Sequence, residues 1–249
     1  MKIMSEKTIV AIHQPNFFPW LGFFDKIARA DIFILLDHVQ MPKTGGTWTN
    51  RVKLLFSDNE ARWITVPIKR SYHGFQKINE IHINHSIPWQ KKILKTLWAN
   101  YSRTTYYSQI KAYLEPLIFN DTNNLADFNI STIMDIVRNL GLPPRIIRSS
   151  KFNVQNTSNE MLIALVKAVG GTTYLCGGGS SVYIDENKFL KADIELIFQN
   201  FKHPIYPQIH GQTFTPGLSI IDVLMNCGLD GTKSLLLKRD SLPKFGDIK

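Results

Sequence analysis

The chain contains little cysteine and no long apolar run. Its 249 residues include two cysteines, Cys176 and Cys227, too few for a disulfide framework and typical of a reducing cytoplasm. No stretch of about 18 consecutive apolar residues occurs, so we expect no transmembrane helix. The start, MKIMSEKTIVAIHQP, lacks a signal-peptide pattern because its apolar run is short and becomes polar at His13. We therefore predict a cytoplasmic protein that does not insert into membranes.

Acidic residues are fewer than basic ones: 20 Asp and Glu against 29 Lys and Arg, a net charge of +9. A basic protein attracts phosphates, whether they belong to nucleic acid, a nucleotide or an acidic membrane. The alternative is a solvated basic surface with no specific partner. The sequence has no zinc-finger spacing, RNP1-like segment or compact metal-ligand motif. We predict no metal site, with convergence of His13, Asp37 and His203 as the alternative, and tRNA stays open as a partner.

Strand and helix signals alternate along the chain, which has the 44% hydrophobic content of a globular protein. Two buried strands, Thr8–His13 and Asp31–Asp37, flank a helix over Pro19–Ala30, which predicts a parallel βαβ unit. Further strands are predicted at 47–56, 62–68, 78–85, 145–150, 172–176 and 194–198. Further helices are predicted at 89–100, 106–119, 125–140, 157–169 and 219–227, the last ended by Gly228. This order predicts one α/β domain over 1–249, Rossmann-like, with a mainly parallel sheet, flanking helices and a helical insert at about 88–140.

Polar residues follow several of the predicted strands. Ligand sites of open parallel sheets lie outside the carboxyl ends of the strands. Each strand end contributes polar groups, namely His13 and Gln14, Asp37, His38 and Gln40, Ser149 and Ser150, the segment 176–181, and His203. These groups are expected to converge if the strands are parallel neighbours.

Three residues are candidates for catalysis: His13, Asp37 and His203. An imidazole exchanges protons near neutral pH, so His13 or His203 suits a general base, with Asp37 in support. The alternatives are a histidine bound to backbone in a turn and a structural ion pair of Asp37 with Arg51 or Lys53.

A larger set is predicted to bind the substrate, through amides, cations, aromatic rings and flexible backbone. Arg51 and Lys53 suit a diphosphate, and consecutive glycines let backbone amides approach an anion. The set comprises Gln14, Phe17, Trp20, Gln40, Asn50, Arg51, Lys53, Ser149, Gly177, Gly178, Gly179, Ser180, Tyr183, Tyr206, Gln208, Ser219 and Asp222. For Ser219 and Asp222 the alternative is helix capping, and for the glycines a flexible turn. Cys176 is interpreted as a small buried residue, with a nucleophile as the alternative.

Several blocks, taken together, resemble the WbqC-like protein family. They are IHQPNFFPWLGFFDKIARADIFILLDHVQ, TNRVK, WITVPI, Tyr174 before the glycine run, HPIYPQ, Phe214 and SIIDVLMNCG, in order from about residue 9 to residue 230. The resemblance implies a cytoplasmic role in making or modifying a sugar precursor, because members tend to be encoded in gene clusters for O-antigen and other surface polysaccharides. It transfers no catalytic residue.

These observations predict an enzyme that transfers an acyl or aminoacyl group to the amine of a nucleotide-linked sugar. The donor would be an acyl-CoA, an acyl carrier or an aminoacyl-tRNA, and no other cofactor is expected. A non-catalytic sugar-nucleotide-binding or scaffold protein of the same pathway is one alternative. A nucleotidylyltransferase-like enzyme is another, because the first βαβ unit is similar to that of the HIGH-type enzymes. However, Phe23 follows Gly22 where their motif has histidine.

Overall fold

A five-stranded parallel sheet forms the centre of the molecule. The computed structural model describes residues 7–41, 47–70, 74–143, 145–178 and 184–237. The sheet strands are β1 (Ile9–His13), β2 (Ile32–Leu35), β5 (Arg145–Arg148), β6 (Thr173–Cys176) and β7 (Glu195–Phe198), in the order β5-β2-β1-β6-β7. All four pairings are parallel, so the predicted α/β, Rossmann-like fold is confirmed.

Helices cover both faces of the sheet. They are α1 (Leu21–Ala28), α2 (Trp89–Tyr101), α3 (Tyr107–Ile118), α4 (Leu125–Asn139), α5 (Ser158–Ala168), α6 (Glu186–Lys191) and α7 (Ile220–Leu237). Side chains alternate between the faces of a strand, so Val10 and Ile12 of β1 pack with α5 and α6, whereas Ala11 packs with the larger set of helices on the other face. Burial of both faces explains why the central strands β1, β2 and β6 are largely apolar in sequence, whereas the edge strands β5 and β7 are only partly buried.

A two-stranded antiparallel hairpin stands apart from the central sheet. It consists of β3 (Arg51–Leu55) and β4 (Ala61–Thr65), as the alternation of apolar and polar residues predicts. The hairpin joins the rest of the fold through backbone hydrogen bonds from Ser219 N to Lys53 O and from Phe17 N to Trp48 O.

Two segments differ from the prediction. Residues 78–85 form no strand: Ile78–Glu80 is a 3-10 helix, and His82 and Ile83 make only isolated bridges. The backbone there bonds to loops instead, with Asn79 N donating to Asp37 O and Ile83 N to Asn123 O. In α7, Gly228 breaks the helix as predicted (φ 67°), but helical turns resume beyond it to Leu237. The short helix α6 was not predicted.

Candidate functional site

The strand order creates a topological switch point between β1 and β6. From β1 the chain proceeds outward to β2 and β5 on one side and then returns to β6 and β7 on the other. Loops on the two sides of such a point diverge and leave a crevice at the carboxyl ends of the strands. A crevice of about 230 Å³ lies here, lined by His13, Trp20, Gly22, Phe23, Lys26, Gly177, Gly178, Gln199 and Phe201.

His13 ends β1 and presents an unprotonated nitrogen. Its Nδ1 lies 3.0 Å from the carbonyl oxygen of Gln14, and because a carbonyl only accepts, Nδ1 carries the proton. Burial, with the charge of Lys26 as a smaller cause, lowers the pKa of His13 to about 4. The ring is therefore neutral at pH 7, and its Nε2 keeps a lone pair. The ring edge also packs on Phe23, with 4.9 Å between centroids.

Lys26 is a cation in the crevice wall that was not among the predicted site residues. Its side chain on α1 is 3% exposed, and Nζ donates to the carbonyl oxygen of Ile12 over 2.9 Å. Burial lowers the pKa of Lys26 to about 8. Within the described part of the chain no carboxylate forms an ion pair with it. The sequence carries no clear signal for this role, because a lysine in a short helix is ordinarily exposed and the burial of residues 21–27 emerges only from the structure.

Gln199, which directly follows β7, also lines the crevice and binds α1. Its Nε2 donates to the carbonyl oxygen of Gly22 over 2.6 Å and to Oδ2 of Asp25 over 2.7 Å. Arg29 in turn donates to the backbone oxygen of Gln199. These hydrogen bonds fix α1 against the end of β7. None of them uses the side-chain oxygen of Gln199.

Trp20 closes the crevice at the start of α1, where its ring lies directly over Gly22. A Cβ atom on Gly22 would stand 2.3 Å from the ring, so the absence of a side chain there is required for this position of Trp20. Phe201 packs edge-on against the same ring at 5.1 Å. Of the predicted glycine-rich segment, Gly177 and Gly178 line the crevice, and Gly179, Ser180 and Tyr183 lie outside the described residues.

Asp37 lies two residues after β2, and its carboxylate binds the loop that follows β5. Its Oδ1 accepts from Oγ of Ser149 and from the backbone N–H of Ser150, and its Oδ2 accepts from Oγ of Ser150 and Nε of Arg148. Burial alone would raise the pKa of Asp37, but these hydrogen bonds outweigh burial and lower it. Asp37 thus lies away from the crevice as a tightly bound carboxylate.

A broader cleft of about 780 Å³ extends over the ends of β2 and β5, with His38, Gln40, Lys77, Asn79 and Ser150 among its lining residues. Nδ1 of His38 lies 2.6 Å from Oγ of Ser149 at its base. The cleft exceeds the crevice in volume, but the half-buried His13 and the buried Lys26, both with lowered pKa values, belong to the crevice, so we take the crevice as the candidate site.

Comparison with known proteins identifies the family of this chain. A family model described as the WbqC-like protein family matches residues 14–234. The chain belongs to the WbqC-like protein family. It is also 32% identical over 223 residues to an uncharacterised protein of Mycobacterium tuberculosis, covering 89% of this chain and 94% of that protein. No solved structure gives a significant match.

In this WbqC-like protein, His203 lies one layer behind the crevice wall. Its ring is 6.3 Å from Trp20 and 5.5 Å from Phe201, centroid to centroid. Nδ1 faces the carbonyl oxygen of Pro204 at 3.0 Å, and the buried Nε2 has no hydrogen-bond partner among the described residues. Burial lowers the pKa of His203. His203 therefore supports the Trp20 wall and does not itself line the crevice.

The remaining predicted residues of this WbqC-like protein lie elsewhere. Phe17 is fully buried and stacks on Phe128. Ser219 caps α7, with its Oγ donating to the carbonyl oxygen of Phe18 and accepting from the N–H of Ile221. Gln14, Gln40, Asn50, Arg51, Lys53, Ser149, Tyr206, Gln208 and Asp222 also do not line the crevice.

Asp222 is the centre of a buried network in α7. It accepts hydrogen bonds of 2.7 Å from the hydroxyls of both Tyr101 and Tyr206, and Gln208 donates to the Tyr206 hydroxyl. Burial raises the pKa of Asp222 despite these bonds. The network joins α2, α7 and the loop before α7, so Asp222 stabilises the packing of these three segments.

Neither a metal site nor a reactive thiol is present in the described part of this WbqC-like protein. No group of three or more His, Cys, Asp and Glu residues able to hold a metal ion is found there. The Cys176 thiol lies against the carbonyl oxygen of Ile197, and burial raises its pKa to about 11, so it is protonated at pH 7. No helix within the described ranges is apolar and long enough to span a membrane.

Proposed function

We propose that this WbqC-like protein is an enzyme that transfers an acyl or aminoacyl group to the amine of a nucleotide-linked sugar, and that the reaction takes place in the crevice. The observation that carries the proposal is that one crevice holds both Lys26, a buried ammonium that pairs with no carboxylate of the described residues, and His13, a neutral imidazole whose Nε2 keeps a lone pair. The substrate class is inferred from the family resemblance, and the roles in anion binding and proton transfer are inferred from the residues of the crevice.

Lys26 is suited to hold an anionic group of the substrate. An unpaired buried ammonium is unfavourable, and a phosphate beside it would restore the missing countercharge and raise its pKa. Gly177 and Gly178 line the same crevice and allow close approach of the ligand to backbone. At about 230 Å³ the crevice is smaller than the roughly 300–1,000 Å³ of whole-ligand pockets, so it would hold the phosphate and part of the sugar.

His13 is suited to take a proton from the attacking amine. In acyl transfer the amine nitrogen forms a bond to the carbonyl carbon of the donor and loses a proton, which Nε2 of His13 accepts. The bond from that carbon to the leaving sulfur or oxygen then breaks, and the leaving group takes the proton from Nε2. A bound phosphate would raise the pKa of His13 toward the useful range by neutralising Lys26.

A specific observation favours a second candidate, a non-catalytic sugar-nucleotide-binding protein. A base with a pKa of about 4 is weak, and in that case His13 would only accept a hydrogen bond from a ligand hydroxyl or amine.

The two candidates are separated by comparing binding and turnover in His13→Asn, which keeps an N–H donor near the Gln14 carbonyl and removes Nε2. Calorimetry with a panel of nucleotide amino sugars would measure affinity, and single-turnover assays with an acyl-CoA or aminoacyl-tRNA donor would measure transfer. The enzyme proposal expects binding within about 3-fold of wild type and a rate about 10²–10⁴-fold lower. Binding without transfer by the wild-type protein supports the second candidate, and no binding of any panel member contradicts both.

A further inference from the structure

The β3–β4 hairpin has one face in the core and one face that carries cations and indoles. Strand register pairs Lys53 with Trp63 and Arg51 with Thr65, so these four side chains share a face. The other face places Val52, Leu54 and Ile64 in the core. We call the set Trp48, Arg51, Lys53 and Trp63 the hairpin face.

The two tryptophans of the hairpin face lie in contact and are open to solvent. Their ring centroids are 4.9 Å apart at an interplanar angle of 67°, and Trp48 and Trp63 are 41% and 37% exposed. A single exposed aromatic residue needs no explanation, but two adjoining indoles at the surface are typical of a recognition site.

The cations of the hairpin face are held over an aromatic ring. The guanidinium carbon of Arg51 lies 4.2 Å from the centroid of Trp63, and Nζ of Lys53 lies 5.2 Å from it. Among the described residues neither cation forms an ion pair, and Nε of Arg51 has no hydrogen-bond partner. Both cations therefore keep their charge available to an anion.

We propose that the hairpin face binds single-stranded nucleic acid. Bases stack on indole and guanidinium planes, while arginine and lysine contact the phosphates between them, and an antiparallel ribbon presents both kinds of group side by side. The overall charge of +9 favours the approach of a polyanion. A neutral sugar would use the indoles but not the two cations, so the combination favours nucleic acid. The hairpin face does not line the crevice, and this inference does not depend on the proposed function.

Fluorescence anisotropy of labelled single-stranded oligo(U) of roughly 12 nucleotides tests the proposal, since known site sizes span about 4–16 nucleotides. Trp63→Ala and Trp48→Ala are each expected to weaken binding by about 5- to 150-fold. Trp98→Ala is the matched control, because Trp98 on α2 is 64% exposed and lies outside the hairpin face. Arg51→Gln and Lys53→Gln are each expected to reduce the slope of log affinity against log salt by about 0.7, the value per phosphate contact on a single strand. Thermal melting confirms that each variant is folded.

Three outcomes would overturn the proposal. The first is an affinity that Trp63→Ala and Trp48→Ala change no more than Trp98→Ala does. The second is equal competition by dextran sulfate, which would show that only the negative charge is recognised. The third is binding of uridine monophosphate as tight as that of the oligonucleotide, which would assign the hairpin face to a small nucleotide ligand.

Discussion

At the scale of the residue, Lys26 is expected to lower the stability of the fold that contains it. Burial moves its pKa from 10.5 to about 8, and each pKa unit corresponds to about 1.4 kcal/mol, so the charged form costs roughly 3 kcal/mol at pH 7. The hydrogen bond from Lys26 to the carbonyl oxygen of Ile12 offsets about 1 kcal/mol of this cost. Lys26→Met, which fills a similar volume without charge, is therefore expected to raise the free energy of unfolding by about 2 kcal/mol at pH 7. Denaturant titration measures it.

The same variant is expected to bind phosphate-bearing ligands about 10- to 150-fold more weakly, since a hydrogen bond to a charged group contributes roughly 1.5–3 kcal/mol. Lys92→Met on α2 is the control, because Lys92 is exposed and its loss should change stability by less than about 0.5 kcal/mol. If Lys26→Met is less stable than wild type at pH 7, the ammonium has a stabilising partner and the argument for an anion fails.

At the scale of the element, the start of α1 depends on Gly22 for the position of Trp20. The closest ring atoms would lie 2.3, 2.6 and 2.7 Å from a Cβ atom there, which is inside any permitted contact. Gly22→Ala is expected to displace Trp20 and to weaken ligand binding at the crevice by at least about 10-fold, while the helix itself gains intrinsic propensity. Trp fluorescence and calorimetry measure the two effects.

Gly178→Ala is the control for folding in that experiment, because no atom of the described residues lies within 4 Å of a Cβ atom at this position. Its melting temperature should match that of wild type. Unchanged fluorescence and unchanged binding in Gly22→Ala would mean that Trp20 does not shape the crevice.

Elements that bury a continuous apolar run were predictable, and those set by long-range hydrogen bonds were not. The strand at Ile32–Leu35 is buried throughout, so its sequence alone identifies it. Residues 78–85 place isoleucines between polar residues as a half-buried strand does, yet their backbone bonds to Asp37 and Asn123, which are far away in sequence. Lys26 was missed for a related reason: a lysine in a short helix is ordinarily a surface residue, and only the packing of α1 against Ile12 and Tyr174 shows otherwise.

At the scale of the whole molecule, the strand order divides the polar strand ends into two groups. His13, Gly177 and Gln199 surround the switch point, whereas Asp37 and Ser149 form a separate cluster over β2 and β5. The sheet spans four inter-strand spacings of about 4.8 Å, so its outer strands are roughly 19 Å apart. One small ligand cannot contact every strand end. The prediction that polar groups follow parallel strands is confirmed, but they gather in two groups and not at one point.

The stability of the whole fold is expected to fall in mild acid because of His13. Its pKa is about 4 in the folded state against 6.5 when exposed, so between these values the unfolded chain binds more protons. The stability that depends on a neutral His13 is fully present above pH 6.5 and is lost as the pH falls toward 4. The free energy of unfolding decreases by roughly 3 kcal/mol over this range. Denaturant titrations at several pH values in this window measure the slope. His13→Asn, which does not titrate, should reduce this slope, and equal slopes in the two proteins would show that folding does not lower the pKa of His13.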